Sequence, residues 1–398
     1  MKTDLITSIT RQSDQFRNRM IHFLRELIAI PSPTGGEEAA VKRVAKEMEN
    51  LGYDSVDHDV LGNVVGTLGN GPIEVLYDAH LDTRNMGDIR SWAFDPFLGQ
   101  VDETHVNGLG ASNNKGAMAA MVYGAHLFRE SGALKNVTLR VVGSVMVEEC
   151  EGLCYRSLLN SGLVDPDVVI LGKCTDLAIC RGHRGRLECR AEVRGMSAHA
   201  SASESGRNAM YEAASLITRI EKLNAALPEA PFFGKGSIEV THIKTPPGPV
   251  FITPRSCAFH IDRRLTRSES REKAMEEIQN LAGDIDFTIE VLRYDRPSYT
   301  GQIIEVDRYF PPWELAADHP CLQTAVETGI QVLGKEPEVT RWSLSTNGVH
   351  TMGIEKIPTF GFGPGQESNS YSSNDRVSID QLMKSMQFYA LYPVMMPE

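Results

Sequence analysis

The chain has 398 residues, 41% hydrophobic and 23% charged, with a formal net charge of −12. This length predicts two domains, and the acidic balance disfavours nucleic acid as a partner, because such proteins need a basic surface. No apolar run approaches the roughly 20 residues of a membrane helix, and the polar first residues show no secretory signal. With seven scattered cysteines, which do not resemble a disulfide framework, we expect a cytoplasmic protein without a membrane partner.

Helix and strand patterns alternate along the first part of the chain. Apolar residues at helical spacing predict helices over residues 14–30, 37–51 and 115–131. Strands are predicted over residues 63–68, 73–77, 136–147 and 168–171. The last of these is apolar at consecutive positions, as in a strand that is buried on both faces. The alternation predicts an α/β domain with a mostly parallel sheet and helices on both faces.

The pattern changes after residue 181. Strand, helix, strand, strand, helix and strand follow in turn, over residues 187–193, 208–223, 238–243, 257–265, 268–281 and 287–292. This order is typical of a small ferredoxin-like α+β unit. From about residue 297 the chain returns to a helix and a strand. We therefore predict an α/β domain formed by residues 1–181 and 297–398, with the ferredoxin-like domain inserted as residues 182–296.

The segment Leu76-Tyr77-Asp78-Ala79-His80-Leu81-Asp82-Thr83 carries the first chemical signal. His80 and Asp82 follow an apolar strand and are two residues apart, so their side chains would share one face of an extended chain. Such a pair suits a metal ligand and the carboxylate that orients its imidazole. The alternative is a buried structural histidine beside a helix-capping aspartate, and the pair alone does not exclude it.

The ordered motifs of the whole chain resemble metallopeptidase family M20, the group of aminoacylases, glutamate carboxypeptidases and succinyl-diaminopimelate desuccinylases. The motifs lie at residues 30–32, 77–83, 108–116, 148–149, 195–199 with 208, 262–264 and 361–365. The resemblance implies a catalytic domain and an inserted lid domain that often dimerises. We accordingly expect a homodimer that forms through the lid.

The resemblance also implies two zinc ions on five ligands, and the ligand motifs of this chain are partly altered. The residues that match the family are His80, Asp82 as the orienting carboxylate, Glu148 as the general base, and Glu149 as the next ligand. The altered positions are Asn113 for the bridging aspartate, Lys173 for a carboxylate, and Tyr371 for the last histidine.

The chemistry of these three replacements is unfavourable for zinc. A carboxamide is uncharged, an ammonium repels a dication, and a phenol with a pKa near 10 is a poor ligand. Since zinc sites normally take at least three protein ligands, we predict that no metal or other cofactor is bound. Zinc is the alternative if the motifs are wrongly matched. In a site without metal, Lys173 would neutralise part of the charge on the remaining carboxylates, which suggests an ordered site.

Outside the ligand positions, the resemblance implies residues that contact a substrate. His199 would polarise a scissile carbonyl, and Asn208 would hydrogen-bond the substrate. Arg263 would hold a carboxylate, while Asn113 and Ser345 would line the site. The alternatives are a cap or interface role for His199, a strand-end salt bridge for Arg263, and an ordinary turn around Ser345.

Two functions follow from these residues. The first is an enzyme that acts on a C–N or acyl bond of a small amino-acid-derived amide, such as an N-acyl amino acid, by hydrolysis, acyl transfer or cyclisation without zinc. Glu148 would be its acid or base, and His199, Lys173 and Tyr371 its other catalytic residues. The second is a catalytically inactive pseudoenzyme that binds a small ligand or partner. A lesser alternative is an ordinary zinc-dependent amidohydrolase or dipeptidase.

Overall fold

The computed structural model describes residues 2–132 and 136–397 and divides the chain into two compact units. The larger unit comprises Met1–Gly182, Arg296–Ile304 and Glu314–Glu398, and the smaller comprises His183–Asp295 and Glu305–Trp313. The predicted boundaries near residues 181 and 297 each lie one residue from the observed ones. The segment Glu305–Trp313 is a difference, since it was predicted in the larger domain. It belongs to the smaller unit because its strand Tyr309–Phe310 pairs with the strand Gly185–Arg194.

An eight-stranded sheet forms the centre of the larger unit. Its strands, in spatial order, are Ser55–His58, Val64–Leu68, Val137–Ser144, Ile73–His80, Val168–Leu171, Thr359–Gly361, Ile179–Cys180 and Val339–Thr340. The four central strands are parallel to one another, whereas antiparallel pairs occur only towards the two edges. The parallel-rich α/β sheet predicted from the sequence is confirmed.

Helices cover both faces of this sheet. The last six residues of the strand Ile73–His80 are all buried, and neighbouring residues of a strand point to opposite faces. Tyr77 donates a hydrogen bond to the Tyr389 carbonyl on one face, and Asp78 accepts one from Asn347 on the other. The helices of this unit are Lys2–Ala29, Glu38–Asn50, Gly116–Glu130, Leu153–Ser161, Pro320–Leu333, Gly348–Thr351, Glu367–Ser370 and Ile379–Met395.

A three-stranded antiparallel sheet, formed by Arg376–Ser378, His105–Asn107 and Gln100–Val101, completes the regular structure around the site. Short helical turns lie at Ile89–Ser91, Ala111–Lys115 and Ala200–Ser205, and two-residue strands at Gly182–His183, Glu229–Ala230, Gly234–Lys235, Arg293–Tyr294, Val306–Asp307 and Trp313–Glu314. Within residues 2–132 and 136–397, none of the helices combines the length and apolar character needed to cross a membrane.

The smaller unit is the predicted ferredoxin-like α+β fold. Its antiparallel strands are ordered Ser237–Lys244, Ser256–Leu265, Gly185–Arg194 and Phe287–Val291, and the helices are Ala209–Ala226 and Arg271–Asn280. The inward-facing residues of the strands, among them Leu187 and Ile261, form one core with Leu216 and Ile278 of the two helices. The order of strands and helices along the chain agrees with the prediction.

Candidate active site

His80 lies at the carboxyl end of the central strand and is 3% exposed. Its Nδ1 atom is 3.0 Å from the carbonyl oxygen and 3.3 Å from Oδ1 of Asp82, so this nitrogen carries a proton. The Nε2 atom lies 3.2 Å from Asn113 Oδ1 and 3.2 Å from Lys173 Nζ. Nε2 can donate to the amide oxygen only when it carries a proton, and it can accept from the ammonium only when it does not. Only one of these two contacts is therefore a hydrogen bond at any moment.

Asp82 orients this histidine and is fully buried. Its Oδ2 atom accepts hydrogen bonds of 2.8 Å from the Thr34 hydroxyl and 2.8 Å from the backbone N–H of Glu148. Burial alone would raise the pKa of Asp82, but the hydrogen bond and charge of His80, with these other donors, hold it below its ordinary value. Asp82 is therefore an ionised anchor that joins His80 to the segment carrying Glu148.

Glu148 lies at the centre of the cluster, with a side chain that is 7% exposed. Its Oε1 atom accepts a 2.5 Å hydrogen bond from Asn113 Nδ2, and its Oε2 atom accepts a 3.1 Å hydrogen bond from the Tyr371 hydroxyl. Tyr371 is half exposed as a whole residue, but the burial of its phenol group, followed by the charge of Glu148, raises its pKa, so the phenol stays protonated and can donate at neutral pH. Glu148 is thus a carboxylate held by a neutral donor at each oxygen.

The segment that carries Asn113 is held by a carboxylate that the sequence did not single out. Asn113 lies in the turn Ala111–Lys115, and its peptide bond to Asn114 is cis. Asp375 accepts hydrogen bonds from the backbone N–H groups of Gly110 at 2.7 Å and of Ser112 at 2.8 Å. Burial raises the pKa of Asp375 to about 7.

Two further buried side chains hold the segment that leads to Glu148. Asn63 Oδ1 accepts a 2.9 Å hydrogen bond from the Val145 N–H, and Glu37 Oε1 accepts one of 3.0 Å from the Met146 N–H. Met146 has a φ of 66°, a left-handed conformation that side-chain-bearing residues rarely adopt. Burial, followed by the charge of Asp82, raises the pKa of Glu37 to about 7. Sequence analysis missed both residues. Glu37 was overlooked because an acidic residue before a helix is an ordinary N-terminal signal.

A narrow cavity of about 10 Å³ lies beside this cluster, which is about the space of one water molecule. It is lined by Asp78, His80, Asn114, Val147, Leu171, Gly172, Lys173, Thr346 and Asn347. The Oδ1 atom of Asn114 is buried and has no hydrogen-bond partner within the described residues. This unsatisfied acceptor suits a polar group that enters the cavity.

The predicted site residues fall into three groups. His80, Asp82, Asn113, Glu148, Lys173 and Tyr371 form the cluster just described. Glu149 points elsewhere and forms a 2.8 Å ion pair with Arg296. Ser345 is 8% exposed, and its hydroxyl has no hydrogen-bond partner among residues 2–132 and 136–397. The remaining three belong to the smaller unit.

In the smaller unit, His199 is exposed, and its Nδ1 atom lies 2.7 Å from the Ser201 hydroxyl. Asn208 caps the helix Ala209–Ala226 through a 3.0 Å hydrogen bond from the Met210 N–H. These contacts leave the expected roles of both residues as predictions.

Arg263 requires a correction. It is 0% exposed, and its guanidinium binds Glu269 at 2.5 Å and Glu277 at 2.6 Å. Both carboxylates contact Nη2, while Nε and Nη1 are buried without a hydrogen-bond partner among the described residues, so no part of this guanidinium is exposed to a substrate. The observed geometry therefore corresponds to the alternative role, a structural ion pair.

A metal centre needs several ligand side chains around one point. Within residues 2–132 and 136–397, no group of three or more His, Cys, Asp or Glu side chains is arranged to hold a metal ion. Since Asp82 occupies Nδ1 of His80, Nε2 is the nitrogen that could face a metal, and the Lys173 amine lies 3.2 Å from it. The side chains as placed therefore do not fit a dinuclear centre, and we derive no step through one.

Comparisons with known proteins identify the relatives of this chain. A sequence model of the peptidase dimerisation domain of M20 proteins matches residues 181–288. The Escherichia coli (strain K12) protein named "Uncharacterized protein YgeY" is 37% identical over 389 residues, which is 97% of this chain and 96% of the relative. The M20 family metallo-carboxypeptidase Sso-CP2 from Sulfolobus solfataricus shares the fold with a TM-score of 0.73 and 18% identity, over 95% of this chain and 99% of the other.

A second solved structure bears on the cofactor. Bacillus subtilis YXEP, described as a dinuclear metal-binding peptidase from the M20 family, has a TM-score of 0.70 and 15% identity, over 96% of this chain and 98% of its own. Because these relatives are described as metal enzymes, the expectation that this chain takes no cofactor is wrong, and nothing in the comparisons supports metal-free activity. The shared fold, the matched dimerisation domain and the extended identity to one relative show that this chain belongs to the M20 peptidase family of amidohydrolases and peptidases.

Proposed function

We propose that this protein acts on the C–N or acyl bond of a small amino-acid-derived amide, and that Glu148 transfers the proton. Membership of a family of amidohydrolases and peptidases supports the bond type. The observation that carries the residue assignment is the pair of hydrogen bonds at Glu148, one from Asn113 at 2.5 Å and one from Tyr371 at 3.1 Å. A proton-transfer group must be held within hydrogen-bond reach of its substrate in a fixed orientation, which these donors provide.

The neighbours of Glu148 have separate roles in this proposal. Tyr371 is half exposed, at 49%, so its hydroxyl borders both the buried carboxylate and the solvent side from which a substrate would arrive. Lys173 is 5% exposed and lines the cavity next to His80. Its positive charge would stabilise negative charge that develops on a carbonyl oxygen during acyl transfer. Asn113 keeps one oxygen of Glu148 occupied and leaves the other to exchange between Tyr371 and substrate.

His199 and Asn208 remain part of the proposal as substrate-contacting residues. The imidazole of His199 is exposed, and the ring of Phe251 lies 5.5 Å from it, centroid to centroid. A substitution of His199 by Gln should therefore change turnover without changing the free energy of unfolding appreciably. A loss of folding instead would indicate a structural role.

We also propose that the protein is a homodimer formed through the smaller unit. The match of residues 181–288 to a dimerisation domain supports this. The same unit exposes several large apolar side chains, which a partner surface would cover: Met196, Met210, Tyr211, Ile243, Val250 and Phe251. Light scattering after size-exclusion chromatography should give twice the chain mass of 43.9 kDa. A monomer at micromolar concentration would contradict the proposal.

The test of the function is a panel of acyl amino acids, dipeptides and related small amides. Each is incubated with the protein in buffer containing Zn²⁺, because the solved relatives are described as metal enzymes. Turnover that Glu148→Gln abolishes supports the proposal, because the amide keeps the shape of the side chain but cannot take a proton. Glu38→Gln is the control, since this glutamate is exposed and pairs with Lys42. Saturable binding without turnover would support the pseudoenzyme instead.

A further inference from the structure

Two segments supply the hydrogen-bond donors of Glu148, and they are remote in sequence. Asn113 belongs to the turn Ala111–Lys115, and Tyr371 follows the helix Glu367–Ser370. Their donors reach opposite oxygens of one carboxylate. The distance between these segments therefore determines whether both bonds can form at once.

Asp375 joins the two segments. It lies four residues after Tyr371, and its two carboxylate oxygens accept hydrogen bonds from Gly110 N–H at 2.7 Å and Ser112 N–H at 2.8 Å. Its backbone carbonyl accepts a third, of 2.9 Å, from Gly108 N–H. Asp375 is fully buried, so water does not compete for these bonds. Three bonds from one residue to the backbone of the other segment leave little freedom between the two.

The backbone of the turn is constrained where Asp375 binds it. Gly110 has a φ of 85°, and a Cβ atom there would lie 2.8 Å from Thr83 Cγ2, so only glycine fits this conformation. Asn113 departs from helical geometry, with φ −131° and ψ 88°. The direction of the Asn113 side chain therefore depends on the N–H groups that precede it being held.

The segment that carries Tyr371 is held on its other side by Arg84. This guanidinium donates hydrogen bonds to the carbonyls of Ser370 at 3.3 Å and Ser372 at 2.6 Å, one on each side of Tyr371. Arg84 thus orients the segment, and Asp375 ties it to the turn. In the described part of the chain, neither side chain is hydrogen-bonded to Glu148.

We propose that Asp375 is a positioning residue that sets the two hydrogen bonds of Glu148 by fastening the Asn113 turn to the Tyr371 segment. Asp375→Asn is the informative change. The substituted amide keeps one acceptor but presents N–H hydrogens to the other backbone N–H group, so one bond becomes a repulsion. The turn then moves away, and the 2.5 Å bond from Asn113 to Glu148 lengthens or breaks.

The matched control is Asp176→Asn. Asp176 also joins two segments through its carboxylate, but it is exposed, and within residues 2–132 and 136–397 it accepts from the side-chain amides of Gln381 at 2.5 Å and Gln366 at 3.2 Å. Its φ of 54° is one that asparagine tolerates. The control therefore removes a carboxylate of similar connectivity that has no bond to the Asn113 turn.

The measurement is the side-chain amide resonance of Asn113 in protein labelled with ¹⁵N-asparagine, assigned from its absence in Asn113→Ser. A strong hydrogen bond to Glu148 should shift its proton downfield, and Glu148→Gln should alter that shift. We expect Asp375→Asn to move the resonance towards the position of a free amide, while Asp176→Asn leaves it unchanged. A folded Asp375→Asn variant with an unchanged resonance, or an equal change in Asp176→Asn, would overturn the inference.

A second measurement covers the case in which Asp375→Asn fails to fold. Hydrogen exchange of the Gly110 and Ser112 amides in the unsubstituted protein should be as slow as in the helix Gly116–Glu130, and rapid exchange would overturn the inference. The inference rests on the proposed role of Glu148, but neither measurement needs a substrate. If a substrate is found, Asp375→Asn should lower kcat more than it changes KM. An inactive protein with the expected resonance shifts would contradict the proposed function alone.

Discussion

The surroundings of Glu37 predict how the free energy of unfolding depends on pH, in both sign and size. The side chain is fully buried, Oε1 accepts the Met146 N–H, and Oε2 is buried without a hydrogen-bond partner among the described residues. Burial and the charge of Asp82 raise the pKa from 4.5 to about 7. The folded protein therefore holds a proton on Glu37 between these two pH values, whereas the unfolded chain has lost it.

The consequence is a loss of stability as pH rises. Because the folded state binds the additional proton, the contribution of Glu37 is complete below pH 4.5 and disappears as pH passes 7. A shift of this size corresponds to roughly 3 kcal/mol at 1.36 kcal/mol per pH unit. Glu37→Gln is permanently neutral and keeps the acceptor for Met146, so its free energy of unfolding should lack this component.

Urea unfolding of both proteins, followed by tryptophan fluorescence at half-unit steps from pH 4.5 to 8, measures the difference directly. Glu37→Gln should become more stable than the unsubstituted protein by roughly 3 kcal/mol across this window. Glu38→Gln is the control, because Glu38 is an exposed neighbour paired with Lys42. A difference between Glu37→Gln and the unsubstituted protein that stays constant with pH would refute the reasoning.

Three further changes test other parts of the structure. Tyr371→Phe removes one hydrogen-bond donor to Glu148. Steady-state kinetics should show turnover lowered about tenfold, and urea unfolding should show a loss of stability below about 1 kcal/mol. Unchanged turnover would show that Tyr371 is not part of the site. Arg263→Met removes the cationic partner of the buried Glu269 carboxylate and of the partly exposed Glu277 carboxylate, and should cost about 3 kcal/mol. Arg190→Met breaks more exposed pairs and should cost less than about 1 kcal/mol. Equal losses would contradict the assignment of a buried ion pair. A thiol reagent at pH 8 should modify Cys321, the one cysteine that is not buried, well before it modifies Cys174. Burial raises the pKa of the Cys174 thiol to about 11. Rapid reaction of a second thiol would contradict the described burial.

The convergence of the site residues could be predicted from the sequence because of where they lie on strands. His80 ends one strand of the parallel sheet, while Glu148 and Lys173 shortly follow two of its neighbours. The carboxyl ends of parallel strands meet at the same edge of a sheet, and sites form there. A motif after each of three such strands therefore predicts one cluster. Tyr371 joins it from a segment between the sheet and the last helix, and its place came from the family motif alone.

Other features depend on contacts that periodicity does not encode. The long last helix, Ile379–Met395, was not predicted, although eleven of its residues are buried. A helix that is apolar on most sides lacks the two-faced pattern by which helices are recognised. Arg263 was misjudged for a related reason. Its partners Glu269 and Glu277 lie only 6 and 14 residues further on, but a charged residue at a strand end has the same pattern whether it pairs internally or binds a ligand.

Position 113 shows why neighbouring residues of the site should be considered together rather than singly. The Asn113 amide is 2.5 Å from a Glu148 oxygen, a distance at which two carboxylates would repel unless a proton or a cation lay between them. The carboxamide supplies its own N–H and turns that repulsion into a hydrogen bond. Lys173, 3.2 Å from His80 on the same side, adds a positive charge to a cluster that retains Asp82 and Glu148. The identity of residue 113 and the hydrogen bonding of Glu148 are therefore linked: Asn113→Asp would remove the donor to Glu148 Oε1 and place two carboxylates in contact, so the turnover of this variant should fall as it does in Glu148→Gln.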